Sequence, residues 1–361
     1  MNQNRSTDDV RQNLESILYG YYIKYTKMQD LVNTAFANFR QDTNIISIYI
    51  DLYDMLKPIY GRNIYANKQY IIVSAVINLA AHIREYFKTR HRMWARIYFV
   101  YGENNTLNHK QFYPSFGDDQ IRATIDYDRN HSMIKSQLEL VKILAAYIKD
   151  VYYVEKNVMF SIFAYDNIIK NPKVPAIIWT KSKYAAQIPA MEGPNVVLFR
   201  PKKYAGEDNS IVLFGQFVLL QYYNNLSRDK TIEYLSKISP QLLSVIMTMA
   251  GLNDYNVNMV VNSTKAIRLL HDSIMSNKIL NAYNGDCNYV YSNIDELSKY
   301  IDQTSFSFRF KAIDLVYQHM IYSQSPESLD YTWQIDLNDP NTVREINDKY
   351  FFDNPLDLNS L

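Results

Sequence analysis

The chain alternates between short apolar runs and longer stretches with helical periodicity. The runs are rich in β-branched and aromatic residues and predict six strands: Ile45–Ile50, Arg96–Tyr101, Val151–Val154, Ala176–Thr180, Asn195–Phe199 and Ser210–Phe214. Most of them lack a clean period of two, which is typical of parallel strands covered on both faces. Helical patterns occupy roughly residues 68–89, 132–149 and 156–169 between them. This order predicts an α/β domain over residues 42–215, with a mainly parallel sheet flanked by helices.

The strand pattern ends after Gly215, and helical periodicity replaces it. Residues 216–225, 229–237, 240–250, 262–276, 293–302 and 306–322 are predicted to be helical. Ser239 and Pro240 suit the N-cap and the first turn of the third of these helices. We therefore expect an all-helical second lobe over residues 216–325.

Residues 1–41 form a predicted helical arm. Its apolar positions follow alternating steps of four and three residues, an a/d pattern over about four heptads. Two interpretations stay open: the helix packs along its own domain, or it binds a partner or a second copy. The proposed partner-binding positions are Leu14, Leu18, Tyr21, Tyr25, Met28 and Val32.

Composition excludes several protein classes. Hydrophobic residues make up 47% of the 361 residues, enough for a sizeable core, and the net charge of +1 argues against a dedicated nucleic-acid binder. Cys287 is the only cysteine, so neither a disulfide framework nor a cysteine-based zinc finger is expected. The longest apolar stretch, 211–223, is too short to span a bilayer. The first residues lack an apolar signal region, so neither a membrane protein nor secretion by a signal peptide is predicted.

Charge is distributed unevenly along the chain. Residues 326–361 contain eight acids and two bases, a net charge of −6, which leaves +7 on residues 1–325. We expect this acidic C-terminal arm to dock on the body or on a neighbouring copy.

One stretch of the body is strongly basic. Residues 82–96 carry a local net charge of +4, with aromatic residues interleaved. This pattern indicates either a stripe that binds phosphate or an acidic partner, or a solvated helix end. The basic stripe comprises Arg84, Lys88, Arg90, Arg92 and Arg96.

Several segments resemble one family. Strand 45–50 ends in Asp51, and residues 176–188, AIIWTKSKYAAQI, are similar to a strand followed by a T-G-D-K-D-L-L-Q turn. Residues 242–257, LLSVIMTMAGLNDYNV, are similar to an L-x-G-D-x-S-D-N-I segment, in which Gly251 and Asn256 match. These features resemble the 5′–3′ exonuclease and flap-endonuclease family, whose core is a PIN-like α/β fold. The resemblance covers about 225 residues and implies a metal site at the carboxyl ends of the strands.

The positions that the resemblance assigns to this site have mostly lost their acids. Phosphodiester hydrolysis by two metal ions needs several converging carboxylates. Gly102 stands where the second strand would be followed by an aspartate, and Val260 and Val261 replace glycines of a DNA-gripping hairpin. The degenerate-site positions are Asp51, Glu155, Ser182, Tyr184, Leu252 and Tyr255, of which only the first two are acids.

The sequence thus predicts a non-catalytic structural or interaction protein with a degenerate nuclease fold, in a larger assembly such as a virus or phage particle. It predicts protein partners and an oligomer, no catalytic residue, no metal and no cofactor. The alternatives are a pseudonuclease that binds DNA through the basic stripe, and a residual metal-dependent 5′ nuclease with Asp51 as first ligand. The predicted location is the virion or the host-cell cytoplasm.

Overall fold

The computed structural model describes most of the sheet domain and the helical lobe. The described residues are 43–54, 80, 83–102, 107–118, 138, 141–142, 145, 150–156, 158–192, 195–200, 211–213, 237–276, 279 and 286–324. The predicted N-terminal helical arm, the acidic C-terminal arm and the predicted helix 216–225 lie outside them.

Six strands form one sheet in the order β3-β2-β1-β4-β5-β6. The first five strands run parallel, and β6 is antiparallel to β5. The predicted α/β class with a mainly parallel sheet is therefore confirmed. The strands are β1 Ile45–Asp51, β2 Trp94–Gly102, β3 Val151–Lys156, β4 Ala176–Trp179, β5 Val196–Arg200 and β6 Ile211–Leu213.

Burial on both faces explains why these runs form a parallel sheet. Ile46, Ile48 and Ile50 are at most 1% exposed on one face of β1, while Tyr49 is 3% exposed on the other. Side chains of a strand alternate between faces, so a strand covered on both sides needs apolar residues at nearly every position. The missing period of two in the sequence therefore has a direct physical cause.

Helices connect the strands of the α/β domain. Residues 83–86 are helical and pass into a π-helical turn, Phe87–His91, directly before β2. α1 is Leu107–Lys110, α2 is Phe160–Lys170, and α3 is Gln187–Met191 after the 3₁₀ turn Tyr184–Ala186. α2 begins four residues later than predicted, because β3 extends as far as Lys156.

The helical lobe follows from residue 237. The 3₁₀ turn Pro240–Leu242 leads into α4, and Ser239 takes the N-cap position without a hydrogen bond from its side chain. The remaining lobe helices all carry a capping side chain at their N-termini. They are α4 Leu243–Ala250, α5 Ser263–Met275, α6 Cys287–Asn293, α7 Gln303–Ile313 and α8 Leu315–Ser323.

The predicted bounds of two helices in the lobe were wrong. The predicted single helix 306–322 is broken at Asp314, whose backbone is extended and whose side chain accepts a hydrogen bond from Tyr317 N at 2.8 Å. The predicted helix 293–302 lies instead at α6, and only a 3₁₀ turn, Leu297–Lys299, falls inside that range. In both cases a capping aspartate decides where a helix starts.

The lobe and the sheet share one apolar core. Side chains from β1 to β5 and from α2 to α8 belong to the same buried cluster. His109 in α1 links the two parts, because its Nδ1 lies 2.7 Å from the carbonyl oxygen of Ala312 at the end of α7. Burial lowers the pKa of His109 to about 4, so this imidazole is neutral near pH 7 and its Nδ1–H donates. Within the described ranges, no helix is long and apolar enough to cross a membrane.

Candidate functional site

A pair of carboxyl groups lies where β1 and β4 end. Asp51 is the last residue of β1, and Thr180 directly follows β4, which pairs with β1 in the sheet. A helical turn after β1 brings Asp54 back towards the same point. The strand order thus places these three side chains together at the carboxyl edge of the parallel sheet.

The hydroxyl of Thr180 bridges the two carboxyl groups. Its Oγ1 lies 3.0 Å from Oδ2 of Asp51 and 2.8 Å from Oδ2 of Asp54. It also accepts a hydrogen bond from the backbone N–H of Ser182 at 3.1 Å. A threonine hydroxyl has one hydrogen, so it can donate to only one of the two carboxyl groups. The other contact requires a protonated carboxyl group that donates to the hydroxyl.

Burial favours the protonated form of Asp51. Desolvation raises the pKa of Asp51 well above its ordinary value, and the charge of Asp54 raises it further. Hydrogen bonds from Thr180 and from the amides of Asp54 and Tyr53 act in the opposite direction. When Asp51 is protonated, it donates to Thr180 and Thr180 donates to Asp54. In that form the two carboxyl groups hold one proton between them.

Backbone amides also bond to both carboxyl groups. Oδ1 of Asp51 accepts hydrogen bonds from the amides of Tyr53 at 3.1 Å and Asp54 at 3.4 Å. Oδ2 of Asp54, the oxygen next to Thr180, also accepts a hydrogen bond from the amide of Lys181 at 2.5 Å. These contacts hold Asp51 against the turn after β1 and Asp54 against the loop after β4.

Hydroxyl and aromatic side chains fill the adjacent positions. Ser182 Oγ lies 2.8 Å from the hydroxyl of Tyr255, and the ring of Tyr255 is 5.6 Å from that of Tyr184. Desolvation raises the pKa of Tyr255, and the charges of Asp51 and Asp54 contribute. The phenol is thus a neutral hydrogen-bonding group close to the carboxyl pair.

The structure brings five of the six degenerate-site positions together. Tyr255 N donates to Leu252 O at 2.9 Å, which joins Leu252 to the group formed by Asp51, Ser182, Tyr184 and Tyr255. Glu155 lies apart, on β3, with β2 between it and β1. Its neighbour Val154 is in register with Val100 and Asp51, so Glu155 points to the opposite face of the sheet. There it is exposed and accepts a hydrogen bond from the hydroxyl of Tyr153.

Asp54 is the residue of this site that the sequence analysis missed. Only the strand ends were searched for acids, and Asp54 lies three residues beyond the end of β1. The spacing of Asp51 and Asp54 is the signal that could have found it. A strand that turns directly into a helix places positions i and i+3 on the same side.

Gly102 has a structural reason to lack a side chain. A Cβ atom there would lie 2.6 Å from the backbone nitrogen of Phe160 and 2.7 Å from the carbonyl oxygen of Val158. The start of α2 therefore packs directly on the end of β2. A carboxylate at this position is sterically excluded in this fold.

The segment where the resemblance places a DNA-gripping hairpin uses its amides internally. The backbone N–H groups of Val260 and Val261 both donate to the carbonyl oxygen of Met249, at 3.0 and 3.1 Å. The amide of Asn258 lies 3.4 Å from the hydroxyl of Tyr113. An anion that approached this turn would have to compete with these bonds.

The basic stripe lies at the opposite end of the sheet. Arg84 to Arg92 precede β2 and Arg96 lies near its start, whereas Asp51 ends the neighbouring strand. Seven strand residues at about 3.3 Å each separate the two ends by roughly 20 Å. The stripe is also divided, since Lys88, Arg90 and Arg92 are exposed whereas Arg84 and Arg96 are half-buried. It does not line the carboxyl pair.

We expect the carboxyl pair to make stability depend on pH. The folded state holds the proton of Asp51 more tightly than the unfolded chain does, because its pKa is raised on folding. The free energy of unfolding should therefore fall as the pH rises from about 4, Asp51's ordinary pKa, through its raised value. In Asp51→Asn the amide donates to Thr180 as the carboxyl does, so this slope should flatten. Urea unfolding from pH 4 to 8 measures it.

Thr180→Val serves as the companion variant. It removes the bridging hydroxyl and leaves buried donors and acceptors without partners, at a cost of about 1–3 kcal/mol. An unchanged pH slope in Asp51→Asn would contradict the assignment of the proton to Asp51.

Comparison with known proteins gives structural neighbours alone. No family model and no curated protein matches the chain. One similar solved structure is a bacteriophage T5 protein co-crystallised with metal ions, with a TM-score of 0.46, 9% identity, and 76% of this chain and 91% of that chain covered. Another is a bacteriophage T5 flap endonuclease in a pseudo-enzyme–product complex with DNA and metal ions, with a TM-score of 0.48, 10% identity, and coverage of 78% and 94%.

A third similar structure is T5 5′-exonuclease with bound zinc, with a TM-score of 0.44, 8% identity, and coverage of 75% and 92%. The flap endonuclease and the 5′-exonuclease among these structures are members of the family that the sequence resembles. At such identities and TM-scores, neither activity nor site residues carry over to this chain.

Proposed function

We propose that this chain is a non-catalytic interaction protein built on a nuclease-like α/β fold. The observation that carries the proposal is the internal hydrogen bonding of the carboxyl pair. Asp51 and Asp54 are held by Thr180 and by backbone amides at the carboxyl edge of the sheet, the edge where catalytic groups of α/β folds ordinarily face solvent. Carboxyl oxygens that already bond to the protein have less free capacity for an external ligand.

The donor set does not fit a pair of divalent cations. Magnesium takes near-octahedral oxygen ligands, and two-metal hydrolysis needs several carboxylates that converge on the ions. Across the described residues, no group of three or more acidic, histidine or cysteine side chains is placed to hold a metal ion. Asp51 and Asp54 supply two carboxyl groups, and burial disfavours the charged form of Asp51, so this pair is a poor ligand set for two divalent ions.

We expect no cleavage that depends on Asp51. Flapped and single-stranded DNA incubated with the protein and magnesium or manganese should remain at the background level. Asp51→Asn should give the same background, as should the matched control Asp254→Asn, which changes an exposed acid nearby. Denaturing gel electrophoresis of end-labelled DNA provides the measurement. Cleavage that disappears in Asp51→Asn but persists in Asp254→Asn would overturn the proposal and establish a residual metal-dependent 5′ nuclease.

Nucleic-acid binding through the basic stripe is the second candidate. The exposure of Lys88, Arg90 and Arg92 on one turn favours it. Because the stripe lies at the far end of the sheet, such binding would be independent of the carboxyl pair. Affinity for DNA that falls steeply with salt, and that is lost in Arg90→Glu combined with Arg92→Glu, would support this function.

Membership of a virus or phage particle stays a prediction, as do an oligomeric state and the domain bounds. The heptad arm that motivates an assembly role lies outside the described residues. The shared core of sheet and lobe supports a rigid body of the kind that such a component needs.

A further inference from the structure

Two arginines at the amino edge of the sheet have shielded guanidinium nitrogens. Nε and Nη2 of Arg84 and Nε of Arg96 are buried and, among the residues that the structure describes, have no hydrogen-bond partner. Arginine remains charged in proteins, and each buried donor left unpaired costs about 1–3 kcal/mol. Burial lowers the pKa of Arg84, and the negative charge of Asp150 acts in the opposite direction and raises it. Such groups are suited to an acidic ligand that supplies the acceptors.

The carboxylate of Asp150 lies beside Arg84. Asp150 accepts a hydrogen bond from Nε1 of Trp94 at 2.7 Å, and the guanidinium of Arg84 lies 5.9 Å from the centre of the Trp94 ring. Within the described part of the chain, Asp150 is the acid whose charge acts on Arg84. The exposed bases of the neighbouring turn, Lys88, Arg90 and Arg92, add further positive charge.

A stack of three tyrosines adjoins the arginines. Tyr49, Tyr98 and Tyr152 are in register on β1, β2 and β3. Successive ring centres are 5.0 Å apart in both pairs, with interplanar angles of 14° and 18°. Among the described strands β3 lies at the edge of the sheet, so the described stack ends at Tyr152, which is half-buried. An aromatic ring from a ligand would extend the stack there.

The last described helix, α8, ends near this edge. α2 runs from the carboxyl end of β3 back to the start of β4, so its last residues lie at the amino edge. Nε2 of His319 in α8 lies 2.9 Å from Oδ1 of Asp166 in α2. The charge of Asp166 contributes to the raised pKa of Tyr49 in β1, so α2 lies over this face of the sheet. α8 starts beside Gln187, just after β4, so it runs towards the amino edge and ends there at Ser323.

We propose that residues 326–361 of the same chain bind the arginine–tyrosine site formed by Arg84, Arg96, Tyr98 and Tyr152. The segment lies outside the described residues, but its sequence complements the site. Its net charge of −6 supplies acceptors for the arginines. It also carries five aromatic residues that suit the open end of the stack: Tyr331, Trp333, Tyr350, Phe351 and Phe352.

A cleavable full-length chain tests the proposal. A protease recognition site is inserted between residues 325 and 326, the chain is folded intact, and it is then cut. Size-exclusion chromatography is run at low salt and at about 1 M salt, where charges are screened beyond about 3 Å. We expect the segment to elute with the body at low salt and to separate at high salt.

Two variants locate the contact. Arg84→Gln with Arg96→Gln should weaken retention of the cut segment at least tenfold. The control Lys237→Gln with Arg268→Gln removes the same charge from exposed positions of the lobe and should retain the segment. Replacing the eight acids of the segment by their amides leaves the body unchanged and should also release it. This last variant keeps the test decisive if the arginine variant does not fold.

Three outcomes would overturn the proposal. The first is that the cut segment separates from the unaltered body already at low salt. The second is that the intact protein elutes as a dimer that dissociates when the acids of the segment are replaced, which would show that the segment binds a neighbouring copy. The third is that the segment does not bind, whereas single-stranded DNA binds and requires Arg84 and Arg96, which would show that the site recognises nucleic acid.

Discussion

Replacing Gly251 with alanine is expected to lower the free energy of unfolding by about 3 kcal/mol or more. Gly251 follows α4 with φ of 76° and ψ of 170°, a region that is essentially restricted to glycine. A Cβ atom would also lie 2.5 Å from the carbonyl oxygen of Val257 and 2.9 Å from that of Asn258. Backbone strain alone costs about 1–3 kcal/mol, and the contact with rigid backbone adds to it.

Urea unfolding followed by circular dichroism measures this effect. The neighbouring change Ala250→Gly is a matched control, and its cost should not exceed about 1 kcal/mol. Equal losses in the two variants would show that the turn tolerates a side chain at residue 251. A loss confined to Gly251→Ala would show that the backbone between α4 and the 3₁₀ turn Asn253–Tyr255 has no freedom to adjust.

Replacing Arg309 with methionine should cost about 3–5 kcal/mol. Arg309 is 8% exposed, and its Nε and Nη2 both lie 3.2 Å from the carbonyl oxygen of Thr248, near the end of α4. Nη2 also donates to the carbonyl oxygen of Asn258. Its plane lies over the ring of Tyr113, 5.4 Å from the ring centre. Methionine fills the space but leaves both carbonyl oxygens without this donor, at about 1–3 kcal/mol each.

Arg309→Lys separates charge from geometry. An ammonium is a point charge and lacks the planar fork that reaches two carbonyl groups, so an intermediate loss is expected. Arg268→Met, at an exposed position of α5, should change stability by no more than about 0.5 kcal/mol. If Arg309→Met were no more destabilising than Arg268→Met, the hydrogen bonds of Arg309 would not be what holds α4 and the turn after it together.

The strands were predictable because their chemistry is local. A buried parallel strand has to be apolar on both faces, and that leaves a visible run in the sequence, as at Ile45–Asp51. The helix break at Asp314 was not predicted, because Ile313 and Leu315 continue the apolar pattern on either side of it. The aspartate caps α8 there, and periodicity alone cannot distinguish a cap from an exposed helical acid.

The candidate site was only partly predictable for a different reason. The end of a predicted strand located Asp51, and the resemblance to a family motif located Ser182 and Tyr255. Whether Glu155 joins them depends on the register of β3, which decides the face to which its side chain points. Register is a property of strand pairing and cannot be recognised in one strand taken alone.

The hydroxyl of Thr180 has a consequence for protein engineering. A design that aims to install a divalent-cation centre at this end of the sheet would naturally begin with new acids, for example Ser182→Asp or Tyr255→Asp. A third carboxyl group beside two carboxyl groups whose charges already repel each other would most easily be neutralised by taking up a proton itself. The design should therefore begin with the threonine, since both existing acids must be released from it before added ligands can bind an ion.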